Sequence, residues 1–246
     1  MFQNLGEIII LLLKTLAEIK RIPSKIHSIL EQLFEMGNAS LLMAGLLSLF
    51  IGGIMALQIA PQMAERGITG VIGAVIGLAM CKELAPVMMA ILVIGRVGSA
   101  MTAEIGSMRA YNEIDALETM NISPIRFLVL PRITAICIAL PMLTLFSMLV
   151  GWIGGLVVST FNQMSAITME GYFESLKTNV DASDIFEGLI KSLVFALAIG
   201  LIACHQGLVT RGGPRGIGRS VTKSVVNSIV AVLLLDYVVT RLILFI

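Results

Sequence analysis

The stretch that decides the fold runs from Lys82 to Arg132 and reads KELAPVMMAILVIGRVGSAMTAEIGSMRAYNEIDALETMNISPIRFLVLPR. It opens with two charged residues inside an apolar run, continues through a second apolar run, and then becomes polar until it ends near two prolines. Long apolar blocks lie on both sides of it. A polar segment between two blocks of membrane-spanning length predicts a connection that leaves the bilayer.

The composition of the whole chain is that of an integral membrane protein. Of its 246 residues, 57% are hydrophobic and 13% are charged, and the mean hydropathy is +0.95. An average soluble domain is about 25% charged. The net charge of +1 argues against a nucleic-acid partner. The three cysteines lie in apolar runs without metal-ligand spacing, so we expect neither a metal nor a cofactor in this chain.

Residues 1–36 contain an amphipathic pattern that predicts a helix lying in the membrane interface. Apolar residues recur at helical spacing from Leu5 to Ile19, a length too short to span a bilayer. Basic residues follow, and Pro23 is expected to turn the chain. A helix of a soluble domain is the alternative. Because Glu7 interrupts the apolar run, we expect no removable signal peptide.

Five apolar runs are long enough to cross a hydrocarbon core about 30 Å thick. We expect a turn at Pro61 to Gly67 after the first run and a kink at Pro86 in the second. The polar residues 162–187 predict a loop or short helix on one membrane face. The pattern predicts an all-α integral membrane protein, a single domain with an N-terminal interfacial helix and five transmembrane helices. The predicted spans are residues 39–60, 68–103, 133–161, 188–210 and 225–246.

The distribution of lysine and arginine predicts the orientation. The N-terminal segment, the region from Arg96 to Arg132 and a basic turn from Arg211 to Lys223 fall on one side of a five-span topology. Basic residues are enriched in cytoplasmic loops. We therefore expect a cytoplasmic N-terminus and a C-terminus on the opposite side.

The polar segment 104–124 predicts a short helix between the second and third spans. From Arg109 to Met120, the apolar residues Ala110, Ile114 and Leu117 share one side. An ordinary loop helix is the simpler interpretation of this periodicity. A coupling helix, held and tilted by a cytoplasmic motor domain, is the alternative.

Several other motifs have structural interpretations. Gly213 to Ser220 has a spacing like that of a phosphate-binding loop, but it joins two predicted spans and lacks the strand and soluble domain that such a loop requires. His205 has no companion for a metal or catalytic site. Arg96 is expected to anchor its helix end, and the pairs Gly52-Gly53 and Gly154-Gly155 are expected to pack helices closely. The chain is therefore not expected to be an enzyme.

A family resemblance rests on motifs spread through nearly the whole chain. These motifs closely resemble the MlaE/YrbE family, the permease subunits of MCE-type ABC transporters. The contexts of Lys191 and Asp236 also resemble the fourth and fifth spans of that family. The motifs are Lys82-Glu83-Leu84-Ala85-Pro86, Gly95-Arg96-Val97-Gly98-Ser99-Ala100, Thr102-Ala103-Glu104-Ile105-Gly106, Met108-Arg109, Ile114-Asp115-Ala116-Leu117 and Pro131-Arg132.

The resemblance implies a homodimeric permease in a bacterial inner membrane, with a periplasmic C-terminus. It implies a cytoplasmic ABC ATPase that holds ATP and Mg, a periplasmic MCE-domain protein, and often a small STAS-domain protein. The cargo would be phospholipid or a related lipid. The segment 104–124 becomes the coupling segment, and its implied contact residues are Glu104, Met108, Arg109, Glu113, Ile114, Asp115 and Leu117.

Ionisable residues within the predicted spans each cost about 2.5 to 3.5 kcal/mol on insertion scales. The notable cases are Lys82, Glu83, Lys191 and Asp236. Lys82 and Glu83 project about 100° apart on a helix, so at least one must face another span or a polar cavity. We expect Lys82, Glu83, Lys191 and Asp236 to contribute to a lipid chamber at the dimer interface. The alternative is structural ion pairs, for example Lys191 with Asp236. An ion-coupled secondary transporter using these charges is the competing function.

Overall fold

The computed structural model describes residues 2–18, 25–161, 168–243 and 245, and throughout these ranges the regular structure is helical. This confirms the predicted all-α class. Pro23 and residues 162–167 lie outside the described residues. The helices are α1 Phe2–Ala17, α2 Ile26–Glu65, α3 Ile72–Ala79, α4 Ala85–Val93, α5 Ser99–Ala110, α6 Glu113–Thr119, α7 Leu130–Phe161, α8 Met169–Asn179, α9 Ala182–Leu208 and α10 Gly213–Ile243.

Within the described residues, five helical stretches are long and apolar enough to cross a membrane, as predicted. They are Ile26–Glu65, Thr69–Ala110, Ile125–Phe161, Ala182–Leu208 and Gly213–Ile243. The stretch of α2 has 40 residues and therefore extends about 60 Å, twice the thickness of a hydrocarbon core. Such helices carry their polar ends well beyond the apolar layer.

Three π-helical segments interrupt these stretches. Met80–Leu84 joins α3 to α4, Ile94–Gly98 joins α4 to α5, and Ile125–Val129 precedes α7. A π-helical turn inserts one extra residue and shifts the following side chains around the helix axis. The second span is therefore irregular, as expected, but its irregularity consists of two π-helical segments, one of which ends just before Pro86.

Two predicted turns and the predicted coupling helix differ in their boundaries from the structure. Pro61 lies inside α2, and the chain turns after it at Gly67, whose φ is +69°. A transmembrane helix tolerates the one backbone hydrogen bond that proline removes. The coupling helix begins at Glu113 because Asn112, with a φ of +59°, separates it from α5. Arg211 to Lys223 is not a turn, since α10 begins at Gly213.

The first of two compact units contains Met1–Ala39, Ala90–Leu140 and Leu193–Ile246. In it α10 packs against α5 along a buried stripe of mostly small residues. Thr102 Oγ1 on α5 lies 2.9 Å from Ser224 Oγ on α10. A Cβ added at Gly207 would lie 2.7 Å from Ile105 Cβ, so α9 also approaches α5 closely. The buried stripe on α10 is Gly216, Ser220, Ser224, Ser228 and Val232.

The second unit contains Ser40–Met89 and Pro141–Ser192. Its core includes Ile76, Met80 and Tyr172, each at most 1% exposed. A Cβ at Gly52 would lie 2.0 Å from the Gly151 carbonyl oxygen, and one at Gly154 would lie 2.2 Å from the carbonyl oxygen of Leu49. These approaches confirm that the two predicted glycine pairs pack α2 against α7.

Candidate functional site

Five charged side chains of the second unit form one group, which we call the charge cluster. Lys82 Nζ lies 2.8 Å from Asp184 Oδ1 and 3.2 Å from Glu187 Oε2. Lys191 Nζ lies 2.7 Å from Glu83 Oε1. With two ammonium and three carboxylate groups, the cluster has a formal charge of −1. The charge cluster consists of Lys82, Glu83, Asp184, Glu187 and Lys191.

The sequence around Pro86 explains why the cluster forms at this place. Proline has no N–H, so the carbonyl of Lys82, four residues earlier, lacks its ordinary α-helical donor. Lys191 Nζ donates to that carbonyl oxygen at 2.9 Å. Lys82 and Glu83 both lie in the π-helical segment Met80–Leu84. Each therefore faces α9 through a different partner, as their angular separation required.

Gly188 brings α9 close enough for these contacts. A Cβ at this position would lie 2.3 Å from the Cys81 carbonyl oxygen and 2.6 Å from Met148 Cε. Only a residue without a side chain allows the two backbones to approach in this way. The side chains of Lys82 and Lys191 then reach across the short gap between the π-helical segment and α9.

Exposure divides the cluster into a buried half and an accessible half. The Lys191 side chain is 3% exposed, while the side chains of Glu83 and Lys82 are 45% and 40% exposed. A buried ammonium requires a partner, because an unpaired charge in an apolar interior carries a large desolvation penalty. Lys191 therefore holds the cluster together, while Lys82 and Glu83 retain accessible head groups.

Asp184 and Glu187 were not among the predicted site residues, because they fell in the segment interpreted as a loop or short helix. In the structure that segment contains α8 and the start of α9. The signal was present in the spacing: Asp184, Glu187 and Lys191 follow one another at three and four residues, which places them on one helical face. Asp236, half-buried on α10 of the first unit, is the remaining predicted charge. Its pairing with Lys191 stays a prediction.

Tyr172 on α8 supports the core beneath the cluster. Its hydroxyl donates to the Trp152 carbonyl oxygen at 3.2 Å. Burial raises the pKa of this hydroxyl because the phenolate would be desolvated. The phenol therefore stays protonated and remains a hydrogen-bond donor. Ser175 on the same helix accepts a hydrogen bond from the backbone N–H of Ala74 at 3.1 Å.

The predicted coupling segment forms a compact, partly exposed hairpin in the first unit. Arg109 at the end of α5 forms an ion pair with Asp115 on α6, across the turn at Asn112. Ile114 is 2% exposed and anchors α6 to the protein. Glu113 is exposed beside it. The acidic residues in the first turn of α6 also interact favourably with the helix dipole.

A second ion pair connects α5 to the chain that follows α6. Arg132 Nη2 lies 2.9 Å from Glu104 Oε2, and the Arg132 side chain is 12% exposed. Arg132 also donates to the Leu128 carbonyl oxygen at 3.2 Å. The chain before α6 and the chain after it are thus tied to each other. Of the remaining predicted contacts, Met108 and Leu117 are half-buried.

Arg96 lies in the π-helical segment Ile94–Gly98 and is exposed. It borders a pocket of about 140 Å³ between the start of α2 and α5. Glu35 and Glu104 line the same pocket. The anchor role predicted for Arg96 stays a prediction.

His205 has a partner that the sequence did not indicate. Its Nε2 lies 2.9 Å from Glu7 Oε2 on α1, and the His205 side chain is 6% exposed. Leu11 and Thr15 on α1 are buried as well. One face of α1 therefore packs against other helices of the first unit. Among the residues described, no group of three or more His, Cys, Asp or Glu side chains is arranged to hold a metal ion.

Comparisons with known proteins find one family and several relatives over most of the chain. The family described as Permease MlaE matches residues 29–242. A probable ABC transporter permease of Synechocystis sp. is 40% identical over 208 residues, covering 85% of this chain and 78% of that protein. A probable ABC transporter permease of Rickettsia bellii is 32% identical over 240 residues, covering 98% and 92%. The chloroplastic protein TRIGALACTOSYLDIACYLGLYCEROL 1 of Arabidopsis thaliana is 36% identical over 218 residues, covering 88% and 62%.

Proposed function

Because this chain belongs to the MlaE permease family and is an ABC transporter permease, we propose that its cargo is phospholipid or a related lipid. It moves this lipid between the inner membrane and periplasmic MCE carrier proteins, driven by ATP hydrolysis on a partner subunit. The observation that carries the proposal is the family match over residues 29–242. The name of the Arabidopsis relative, which contains that of a galactolipid, supports a lipid cargo.

The working assembly in this proposal contains two copies of the chain. A cytoplasmic ABC ATPase binds ATP and Mg, an MCE-domain protein accepts or delivers lipid, and a STAS-domain protein can accompany the ATPase. The chain lies in the bacterial inner membrane with a cytoplasmic N-terminus and a periplasmic C-terminus. The lysine and arginine distribution supports this orientation.

The coupling segment is the part of the chain on which the ATPase acts in this proposal. Glu113 and Asp115 are exposed on α6 and can meet basic residues of a partner. The Arg109–Asp115 ion pair resists separation of α6 from α5, and the Arg132–Glu104 ion pair ties the start of α7 to α5. A force on α6 is therefore transmitted to α5, and from there along the continuous helical stretch, with its two π-helical segments, that leads back to Met80.

The charge cluster is the part that meets the lipid headgroup. A phosphate group would compete with Asp184 and Glu187 for Lys82, whose side chain is 40% exposed. Lys82 keeps a negatively charged partner throughout, so its own charge is not left unpaired in the span. Glu83 would attract the amine of a zwitterionic headgroup in the same way. Lys191, already held by Glu83 and the Lys82 carbonyl, positions both residues.

The test is transport by the purified chain in liposomes, with and without its ATPase and MCE-domain partners. We expect movement of a fluorescent phospholipid to require ATP and the ATPase. Replacing both Lys82 and Glu83 with Leu should impair lipid movement while both partners still bind. Transport by the isolated chain under an ion gradient alone would overturn the proposal in favour of an ion-coupled transporter.

A further inference from the structure

The first turns of α10 carry a row of cations that the proposed lipid pathway does not use. Arg215, Arg219 and Lys223 are exposed and follow one another at intervals of four residues, so they share one helical face about 12 Å long. Arg211 precedes them in the connection from α9. The sequence contains no Asp or Glu between Glu187 and Asp236. We call Arg215, Arg219 and Lys223 the basic stripe.

The basic stripe is electrostatically unsatisfied. Among the residues that the structure describes, none of its three side chains, nor that of Arg211, has an ion-pair partner. Together with Gly218 and Thr222 of the same helix, the three cations line a shallow, open surface of α10. A Cβ added at Gly218 would meet nothing within 4 Å, so this surface is accessible. A surface whose cations have no counter-charge among the described residues favours an anionic ligand.

The same helical face becomes apolar directly beyond Lys223. Val226, Val230 and Leu233 are 52%, 45% and 54% exposed and continue the face of the basic stripe. On this face the uncharged stretch between Lys223 and Arg241 is about 27 Å long, close to the thickness of a hydrocarbon core. Helix α10, with 31 residues, is about 46 Å long. Its first turns therefore lie at the depth of the lipid headgroups.

We propose that the basic stripe binds the phosphate of an anionic phospholipid, whose acyl chains lie along the exposed apolar face of α10. The anionic phosphate would contact the cations of α10, and the acyl chains would contact apolar side chains of the same helix. A second copy of this chain is a poorer occupant, since two stripes facing each other would bring like charges together. The inference goes beyond the proposed function, because it concerns a lipid held outside the charge cluster, and it does not depend on transport direction.

The experiment measures binding of soluble short-chain lipids to the full-length chain, purified in detergent without its ATPase, by native mass spectrometry. Phosphatidylglycerol should bind more tightly than phosphatidylcholine, and added salt should weaken the binding. Arg219→Gln combined with Lys223→Gln should weaken phosphatidylglycerol binding roughly 25-fold, from about fivefold per surface cation. Phosphatidylcholine binding should be unchanged, and inorganic phosphate should bind only weakly because it lacks the apolar part.

The matched control is Arg66→Gln combined with Lys177→Gln, which removes the same charge from two other exposed positions. It should leave phosphatidylglycerol binding unchanged, and Arg219→Lys should retain most of it. If both double variants lost the same amount of phosphatidylglycerol affinity, the effect would depend only on the net charge of the protein. That result would overturn the proposal. It would also be overturned if the stripe variant kept full affinity for phosphatidylglycerol but lost its ATPase or its partner copy, because the stripe would then be a protein interface. Liposome transport, measured separately, tests the proposed function independently.

Discussion

Replacing Lys191 with Met should destabilise the second unit by removing the buried half of the charge cluster. Methionine retains much of the apolar stem, so the packing loss is small. The lost ammonium leaves the Lys82 carbonyl without the donor that lies 2.9 Å away, at a cost of about 1 to 3 kcal/mol. It also removes the ion pair with Glu83, whose side chain is 45% exposed and therefore adds at most about 1 kcal/mol.

The expected total is about 2 to 3 kcal/mol, which corresponds to a fall of about 5 to 10 °C in Tm for a chain of this size. Trp152 is the only tryptophan and belongs to the same unit. Its fluorescence during thermal unfolding in detergent therefore reports on this region directly. Lys177→Met is the matched control, since that lysine is exposed on α8 of the same unit and should change Tm little.

A double-mutant cycle separates the ion pair from the other effects. Combining Lys191→Met with Glu83→Gln should give a coupling energy of about 1 kcal/mol, because the two side chains are in direct contact. If Lys191→Met unfolds no earlier than Lys177→Met and the coupling energy is zero, Lys191 does not hold α9 to the π-helical segment. The reasoning about the cluster would then be refuted.

Two further predictions concern helix packing and coupling. Gly188→Ala should lower Tm by an amount equivalent to about 1 to 3 kcal/mol, because the new Cβ would lie 2.3 Å from the Cys81 carbonyl oxygen. Gly37→Ala, where no atom lies within 4 Å, should instead leave Tm unchanged or raise it slightly. Asp115→Lys should reduce co-purification of the ATPase and ATP-dependent transport while the spans remain inserted. Glu174→Lys on the exposed face of α8 is its charge-matched control, and equal transport by both variants would contradict the coupling assignment.

Much of the fold followed from local rules. Apolar runs of membrane-spanning length predicted five spans, and two glycine pairs predicted close helix packing, which the structure shows between α2 and α7. Both signals are local, because they depend on segment length and side-chain size. The helix boundaries were predicted less accurately, because a transmembrane helix tolerates proline, as α2 does at Pro61. Helix α10 begins at Gly213 and includes basic residues that precede residue 225, where the fifth span was predicted to begin.

The candidate site was predicted only in outline. The sequence identified Lys82, Glu83 and Lys191 as exceptional, because any ionisable side chain in an apolar run requires an explanation. It also predicted that at least one of Lys82 and Glu83 faces another span or a polar cavity. Their partners, including Asp184 and Glu187, depended on where α9 begins and on how the π-helical segment turns the two side chains.

By itself, then, the sequence determined that this chain is a five-span helical membrane protein with a charged pair in its second span and a polar connection after it. Composition, length and period suffice for those conclusions, because the bilayer imposes them on each segment separately. Only the tertiary structure decided which charges pair, since pairing requires two backbones to meet. Gly188 allows the close approach, and the Lys82 carbonyl, which has no α-helical donor because of Pro86, accepts a hydrogen bond from Lys191.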